Sequence, residues 1–578
     1  MAAIKIENFG AMVPIRDATL LPNNCAAYCS NAWLYKGTVQ GFRQNDPVYT
    51  CISPDTNYVY RIPDTANAKP DFVNSTWVEF ADRYTNVIRA PMIEDRYHRY
   101  YFFSPSEAPS YNTLEGIRAS APALTLGIPA PHVAPVLSCS GGTLTSLEVR
   151  AYVYTWVSAF GEEGPPSPTA TLTGTTDGTW SVRLTAPLPA DLEGRNLATL
   201  HIYRTVADGT GGAQFYQLVS LSITSLGYVD VLLDTAITGK EVLPSNTFDA
   251  PPSNLQGCVV MANGMLAGWA NEVELWFCEP YYPHAWNPGY TISVDATIVG
   301  LAAIGTSLLV MTEGSPWIAT GVTPGTITLG KIAAKEPCVS RQSIVASGEG
   351  GYYASLNGLI CLNPGGTQVV TQHLMTKQDW VALDPYDFMG ARYTTSYMAF
   401  IADGPVDGDN GLLLDMADKN MTLGRLAFSG GVQNVMQDEL SGDVFILSNA
   451  TVFQFDPEIA TLLTPYKWTS KTFQFPYAEQ FIGAKVYFTI PASLSIPLPS
   501  AVTRNTDQAQ EFDPTSQYLL LRVYADGSLL LVREVQKSGE LIMFPSGTIA
   551  SMWSFALEGQ VNLLNFQAAT SVKELRLV

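Results

Sequence analysis

The sequence is poor in charge, and above all in positive charge. Only 15% of its 578 residues are charged, and 32 Lys and Arg stand against 52 Asp and Glu, which gives a formal net charge of −20. A surface of that sign repels phosphate, so the composition argues against a protein that holds nucleic acid by neutralising its backbone. The composition is compatible with a further hypothesis, in which DNA slides past an acidic wall without binding to it.

Motifs for metals, nucleotides and membranes are also missing. The eight cysteines form no C-x-x-C pair and no Cys/His group with zinc spacing, so we predict reduced, buried thiols and no metal site. No Walker loop, dinucleotide fingerprint or G-x-S-x-G occurs, and we expect no cofactor. The most apolar run, residues 298–311, is too short and interrupted for a membrane span and predicts two buried strands. The first residues lack a secretory signal pattern, so we expect no export.

Helical periodicity is scarce. The best example is NCAAYCSNAWLYKG, where Cys25, Tyr28, Cys29 and Trp33 would share one helix face and Gly37 would end it. We therefore predict one short helix there. Nearly everywhere else, short apolar or alternating segments are separated by Gly, Asn, Asp and Pro, which is typical of an all-β chain.

One pattern repeats along the chain: a hairpin whose second strand is followed by proline. The predicted turns begin at positions 271, 313, 357, 410 and 449, with an upstream copy at 94. The five downstream turns are separated by 42, 44, 53 and 39 positions, close to the roughly 40 to 50 residues of a propeller blade. The sequence thus predicts a β-propeller of about five to six blades.

The gap between the upstream copy and the others has the size of a domain. Its strands are typical of a fibronectin type III or immunoglobulin-like β-sandwich, and the residues after about 475 predict a second β-sandwich. The predicted organisation is an amino-terminal arm with a short helix (1–40), a first propeller portion (41–125), the inserted sandwich (126–250), the remaining blades (251–474) and the carboxyl-terminal sandwich (475–578).

Candidate chemistry is sparse. His284, with Glu279 as its orienting carboxylate, has the residue types of a general base, and the adjacent acids Glu94 and Asp95 beside His98 have those of a glycosidase. We interpret the first as packing among aromatic rings and the second as a solvated turn. Neither supports an enzyme, and we predict no catalytic residue.

Three acids gather in the segment DGPVDGDNG: Asp403, Asp407 and Asp409. Calcium prefers several oxygen ligands in one loop, but the spacing departs from that of an EF-hand. We interpret the segment as a polar loop and leave cation binding open.

The segment CEPYYPHAWNPGY, residues 278–290, packs four aromatic rings, three prolines and a histidine into one window. Proline fixes the backbone and buried rings fix packing. We interpret the segment as a rigid joint that sets the angle between neighbouring hairpins.

The segment of residues 275–321 resembles the central region of the tail nozzle proteins, or tail tubular proteins B, of short-tailed bacteriophages. Residues 8–37 resemble that family's amino-terminal segment, and Ala569 to Leu575 its carboxyl-terminal strand. The residues that carry the central match are Pro280, Pro283, His284, Trp286, Thr312, Gly314, Pro316 and Trp317.

The resemblance implies a structural virion protein of the phage tail, made in the host cytoplasm. Six copies would form a ring below the portal and adaptor, enclose the DNA exit channel without sequence-specific binding, and dock tail fibres, spikes or tail-tip proteins. A related role is a plug that retains the genome until ejection. The alternative that the residues leave open is a carbohydrate-active or carbohydrate-binding β-propeller, secreted or associated with a tail fibre.

Overall fold

The computed structural model describes residues 3–576 with the exception of 64–74, 93, 208–212, 349, 403–407, 417–422, 439, 459, 461 and 491–517. The chain divides into two compact units. The middle unit is Tyr84–Lys335, and the terminal unit combines Met1–Arg83 with Glu336–Val578. Strands dominate both units, which confirms the all-β class.

The terminal unit begins with seven strands. They are β1 (Ala3–Ile6), β2 (Ala26–Ser30), β3 (Ala32–Tyr35), β4 (Thr38–Gly41), β5 (Asp46–Thr50), β6 (Tyr58–Ile62) and β7 (Thr76–Phe80).

The middle unit contains the next twenty strands and two short α-helices among its described residues. They are β8 (Asn86–Arg89), β9 (Arg99–Phe103), β10 (Ser110–Thr113), α1 (Leu114–Arg118), β11 (Leu124–Thr125), β12 (Val136–Ser140), β13 (Leu147–Ser158), β14 (Ala170–Thr175), β15 (Thr179–Arg183), α2 (Pro189–Leu192), β16 (Leu197–Ala207), β17 (Ala213–Ser222), β18 (Gly227–Asp230), β19 (Gln256–Val260), β20 (Leu266–Ala270), β21 (Glu274–Glu279), β22 (Tyr282–Trp286), β23 (Ile292–Ser293), β24 (Ile298–Ile304), β25 (Ser307–Thr312), β26 (Trp317–Thr320) and β27 (Thr328–Lys331).

The rest of the terminal unit is built in the same way. Its elements are β28 (Val345–Ser347), β29 (Gly350–Ser355), β30 (Gly358–Asn363), β31 (Gly366–Val369), α3 (Lys377–Val381), β32 (Phe388–Tyr393), β33 (Ser396–Ile401), β34 (Gly411–Asp415), β35 (Leu423–Leu426), β36 (Asn434–Gln437), β37 (Val444–Ser448), β38 (Thr451–Gln454), β39 (Tyr466–Ser470), β40 (Phe473–Glu479), β41 (Gly483–Thr489), β42 (Leu519–Ala525), β43 (Ser528–Glu534), β44 (Leu541–Met543), β45 (Ala550–Gly559), β46 (Asn562–Ala569) and α4 (Val572–Arg576). Short 3₁₀ turns lie at Asp234–Ala236, Pro288–Tyr290, Pro324–Thr326, Arg341–Ser343 and Pro385–Asp387.

The middle unit contains three antiparallel meanders. One consists of β8 to β11, one of β19 to β22 with β23 added beside β21, and one of β24 to β27. Apolar side chains from all three share one core, which includes Tyr101, Phe277 and Val310. The predicted pair of buried strands in residues 298–311 is confirmed by β24 and β25, whose antiparallel register pairs Leu301 with Val310.

The chain forms two further sheets between the first and the second of these meanders in sequence order. One has the order β12-β15-β18 and the other β14-β13-β16-β17. Their inward side chains, among them Tyr152, Trp156 and Trp180, share a core of their own. Asp230 is fully buried there, where it accepts hydrogen bonds from Tyr152 and Arg204, so its charge is balanced without water.

The terminal unit also contains three four-stranded patterns. Strands β28 to β31 form one sheet, β32 to β35 form consecutive strands of a ten-stranded sheet, and β36 to β38 are completed by β5. The β38–β5 pair is antiparallel and joins positions about four hundred residues apart, such as Gln454 and Asp46.

The two ends of the chain are built into common sheets. Strands β1 and β4 both pair with β46, and β2 pairs with β39. Residues from both ends share one core, including Ile6, Trp468 and Phe566. Residues 3–41 are therefore part of the same β-structure as the carboxyl-terminal strands.

The predicted helix in residues 24–37 is wrong, because this segment forms β2, β3 and the turn that leads to β4. Asn31 has a positive φ of 51°, which separates β2 from β3, and Gly37 at φ 80° lies in the turn to β4. The i, i+4 spacing of Cys25 and Cys29 matched a helix by chance. Pairing with β39, a tertiary interaction that a local pattern does not contain, decides the conformation.

Three local predictions also require correction. The connection from β33 to β34 spans residues 402–410, so no tight turn lies at Asn410 and Gly411. The pairing of β8 with β9 is confirmed, but residues 90–98 separate the strands in place of a tight turn at Glu94. The carboxyl-terminal segment ends β46 at Ala569 and continues as helix α4 rather than as a strand.

Two other turn predictions are confirmed. Asn271 and Glu272 have φ values of 49° and 65°, and Asn449 and Ala450 have 48° and 57°, as expected for two-residue turns that follow the strand twist. Among the described residues, no helix is long and apolar enough to cross a membrane.

Candidate functional site

The joint segment, residues 278–290, forms a tight reversal and then a strand. Strand β21 ends before Pro280, and β22 returns antiparallel to it, pairing Trp286 with Cys278. Tyr281, at the reversal, has a positive φ of 65°, and its backbone N–H donates to the carbonyl of Gly264 at 3.1 Å. A left-handed conformation is costly for a bulky residue and persists only where the surroundings fix it. The reversal is therefore held by contacts with a neighbouring turn.

Trp286, the last residue of β22, fixes the end of this strand. Its side chain is fully buried, and its indole N–H donates to the carbonyl of Pro283 at 2.7 Å. Its backbone N–H donates to the carbonyl of Asp249, also at 2.7 Å. A buried indole with its polar atom satisfied acts as a rigid packing element.

The loop between β25 and β26 is held by hydrogen bonds of Thr312 and its neighbours. The hydroxyl of Thr312 donates to the carbonyl of Ser315 at 2.8 Å and accepts the backbone N–H of Gly314 at 3.1 Å. A side chain at Gly314 would bring its Cβ to 3.1 Å from the Cβ of Ala296, which is closer than ordinary van der Waals contact. The carbonyl of Pro316 accepts the backbone N–H of Ile332 at 2.9 Å. Each of these residue types therefore has a local structural role.

Trp317, the last residue of the resemblance, lies at the protein surface. Its indole N–H donates to Asp295 at 3.1 Å. The ammonium of Lys331 lies 5.5 Å from the centroid of the ring and forms an ion pair with Asp295. The three side chains connect β26 with β27 and with the segment before β24.

His284 lies at the centre of a buried polar cluster. Its side chain is 5% exposed, and its ring contacts those of Phe248 and Tyr282 at centroid distances of 5.8 Å. The closest charged atom is Oε1 of Glu162, 3.8 Å from Nδ1. Neither ring nitrogen makes a hydrogen bond with any residue that the structure describes.

Arg99 binds the same glutamate. Its Nη1 donates to Oε1 of Glu162 at 2.5 Å, and its Nε and Nη2 each donate to Asp95 at 3.1 Å. The phenol of Tyr111 donates to the other oxygen of Glu162 at 3.2 Å. Glu162 belongs to the segment between β13 and β14, whereas Arg99 begins β9. The cluster thus joins the inserted sheets to the first meander and, through His284, to β22.

The pKa values follow from burial and charge. Burial lowers the pKa of His284, while the nearby Glu162 opposes this, so the imidazole is neutral near pH 7. Burial raises the pKa of Asp95, but the hydrogen bonds from Arg99 outweigh it and leave the pKa below its usual value. The cluster therefore contains ionised partners and one neutral ring.

Neither Glu279 with His284 nor Glu94 with Asp95 forms a converging pair in the structure. The interpretation of Glu94 and Asp95 as a solvated turn fits Glu94 only, because the Asp95 side chain is 8% exposed. Glu279 accepts a hydrogen bond from Thr247 at 3.4 Å, so its role as the orienting partner of His284 is not seen, and Glu162 occupies that place. Glu94 is exposed while Asp95 is bound to Arg99, so the two adjacent acids do not converge on a common point.

The acidic loop is described only in part, because Asp403 and Asp407 lie outside the described residues. Asp409 accepts hydrogen bonds from the hydroxyls of Tyr28 at 2.7 Å and Ser30 at 2.6 Å. Within the described ranges, no group of three or more His, Cys, Asp or Glu is arranged to hold a metal ion.

Sequence reasoning missed Arg99 and Glu162. These two residues are 63 positions apart, and no local spacing marks a pair of that kind.

Comparison with known proteins adds little to this picture. No protein-family model matches the chain, and no curated protein matches it. Solved structures similar to parts of it include the Pan2 WD40 domain of Neurospora crassa (6% identity over 44% of this chain and 85% of that one, TM-score 0.24), the amino-terminal domain of Nup159 (8%, 44% and 85%, 0.23) and a chain of the mitotic checkpoint complex (11%, 64% and 92%, 0.23). Scores of this size support no statement on fold or function.

Proposed function

We propose that this chain is a structural tail protein of a short-tailed bacteriophage, the nozzle subunit of a ring that encloses the DNA exit channel. The proposal is supported by the structural roles of the eight residues that carry the resemblance. Six of them, Pro283, Trp286, Thr312, Gly314, Pro316 and Trp317, hold turns and strands through the contacts described above, while Pro280 precedes the strained reversal and His284 lies in the buried cluster.

The fold that accompanies this proposal is a β-propeller with added β domains. The four-stranded meanders would be its blades, with β5 completing one of them from the amino-terminal side. Strands β12 to β18 would form a fibronectin type III or immunoglobulin-like sandwich, and the sheets that combine both chain ends would form the carboxyl-terminal sandwich.

The negative charge of the chain favours passage of DNA over tight binding of DNA. A net charge of −20 weakens the attraction between protein and phosphate, so that DNA can slide through a channel of this protein without sequence-specific contacts. In the proposed assembly, six copies lie below the portal and adaptor, and the outer surface binds tail fibres, spikes or tail-tip proteins.

The test is a count of this protein in purified phage particles by quantitative mass spectrometry, with the major capsid protein as internal standard. We expect a fixed number near six per particle. A variable or vanishing number contradicts the proposal and favours the alternative, a carbohydrate-active or carbohydrate-binding propeller. Glycan-array binding by the purified chain would then be the measurement that supports that alternative.

A further inference from the structure

We propose that the contact of the segment 158–163, here called the Glu162 loop, with β9 and β22 is an acid-sensitive latch that opens when His284 takes up a proton. The inference concerns the middle unit alone and does not depend on the proposed function.

The groups that face His284 come from four parts of the middle unit. The Glu162 loop contributes the carboxylate of Glu162 and the backbone and carboxylate of Glu163, and β9 contributes the guanidinium of Arg99. The rings of Phe248 and Tyr282 cover the remaining sides. With the imidazole neutral, the charges of Arg99, Asp95, Glu162 and Glu163 leave two net negative charges in the latch.

A proton on His284 is poorly accommodated in the closed latch, although the backbone of Glu163 lies close enough to favour the charged ring. An imidazolium has two N–H donors, and neither ring nitrogen makes a hydrogen bond with a described residue. The nearest carboxylate oxygen, Oε1 of Glu162, lies 3.8 Å away and already accepts a hydrogen bond from Arg99 at 2.5 Å. A second cation would therefore have to share an oxygen with the first.

Burial and net charge act in opposite directions, and burial is the stronger effect. The net negative charge favours the proton, whereas loss of hydration disfavours it and sets the direction of the pKa shift, which is downward. The open latch exposes the ring to water, where its pKa returns to about 6.5. Because the closed form has the lower pKa, its stabilisation is complete above about pH 6.5 and declines as the pH falls.

Hydrogen exchange of the full-length chain, read by mass spectrometry at pH 7.5 and 5.0, tests the proposal. After correction for intrinsic exchange rates, we expect the opening equilibrium of peptides from the Glu162 loop and from residues 282–286 to rise about tenfold or more, up to about thirtyfold for a single proton. Peptides from β24 and β25 in the same sample are expected to change less than about twofold. Equal or greater protection of the loop at pH 5.0 would overturn the proposal.

Two variants show whether His284 is the group responsible. His284→Gln keeps a polar side chain but does not titrate, and we expect it to lose the pH dependence of the loop. His373→Gln, at an exposed histidine of the terminal unit, is expected to retain it. Persistence of the full pH dependence in His284→Gln rejects the assignment.

A titration of the wild-type protein covers the case in which His284→Gln does not fold. With ¹³C-labelled histidine, NMR follows the imidazoles of the five histidines, and His→Gln variants at the other four positions assign the signal of His284 by elimination. We expect this signal to titrate below the ordinary histidine pKa of about 6.5. A pKa at or above the ordinary value for His284 would overturn the proposal.

Discussion

The indole N–H of Trp286 donates a 2.7 Å hydrogen bond to the backbone carbonyl of Pro283, three residues earlier in the joint segment. Both residues are buried, so no water replaces the donor if it is removed. Trp286→Phe keeps an aromatic ring but leaves that carbonyl unpaired and a small void, and we expect a loss of about 1–3 kcal/mol of stability. Differential scanning calorimetry measures the effect as a lower unfolding temperature of the middle unit.

A matched tryptophan separates this effect from a general loss of ring area. The indole of Trp317 donates to Asp295, but this pair lies at the surface. Trp317→Phe is therefore expected to cost less than about 1 kcal/mol. Equal losses in the two variants would show that the buried hydrogen bond does not stabilise the joint.

Arg61 and Asp438 form a buried ion pair that connects β6 with the segment after β36, and both side chains are less than 5% exposed. Removal of one partner leaves the other charge buried, so we expect Asp438→Asn to cost about 3–5 kcal/mol. Asp295→Asn, which breaks the exposed pair with Lys331, is expected to have a much smaller effect. Thermal unfolding of both variants checks the difference, and a small effect of Asp438→Asn contradicts the prediction.

Asp95 links stability to pH through Arg99. Its pKa is lowered in the folded chain despite burial, so its ionised form stabilises the fold above the unfolded pKa of about 3.9, and this contribution is lost as the pH falls further. We expect Asp95→Asn to be less stable than wild type at pH 7, with the difference shrinking below about pH 4. Unfolding temperatures recorded from pH 3 to 7 test this. A difference that grows on acidification would reverse the sign of the argument.

The Asn449–Ala450 turn contains a residue in an unfavourable conformation. Ala450 has a φ of 57°, which costs an ordinary residue roughly 1 kcal/mol and glycine almost nothing. Ala450→Gly creates the Asn-Gly pair that this turn type favours, and we expect about 1 kcal/mol of stabilisation. Ala399→Gly, at a fully buried position of β33, should be destabilising by at least about 0.5–1 kcal/mol. A loss in both variants would contradict the prediction for the turn.

Local chemistry explains which parts of the fold the sequence predicted well. The turns at Asn271 and Asn449 and the buried pair β24–β25 depend on neighbouring residues, and all were found as expected. The segment 24–37 failed because its partner strand β39 is more than four hundred residues away. The Arg99–Glu162 contact was missed for the same reason. Turn signals and hydrophobic periodicity depend on neighbouring residues and contain no information on pairings between distant strands.

The amino-terminal strands offer the strongest test of these long-range pairings. Strands β1 and β4 pair with β46 and β2 pairs with β39, and their buried side chains belong to the core shared with the carboxyl-terminal strands. Deletion of residues 1–41 would expose the edges of β39 and β46 together with apolar surface, which favours aggregation. We therefore expect the shortened chain to be insoluble or to lose protease resistance in residues 466–490 and 518–569.

A pair of point variants tests the same pairing without removing a segment. Val39 is fully buried opposite Leu563, whereas the adjacent Thr38 is partly exposed. Val39→Asp buries an unpaired carboxylate and is expected to unfold the sheet that contains β46, whereas Thr38→Asp should be tolerated. Limited proteolysis followed by mass spectrometry locates the loss. A soluble deletion variant with unchanged protection of β39 and β46 would show that the carboxyl-terminal strands fold without the amino-terminal segment, and that β1 to β4 only cover a sheet that is already stable.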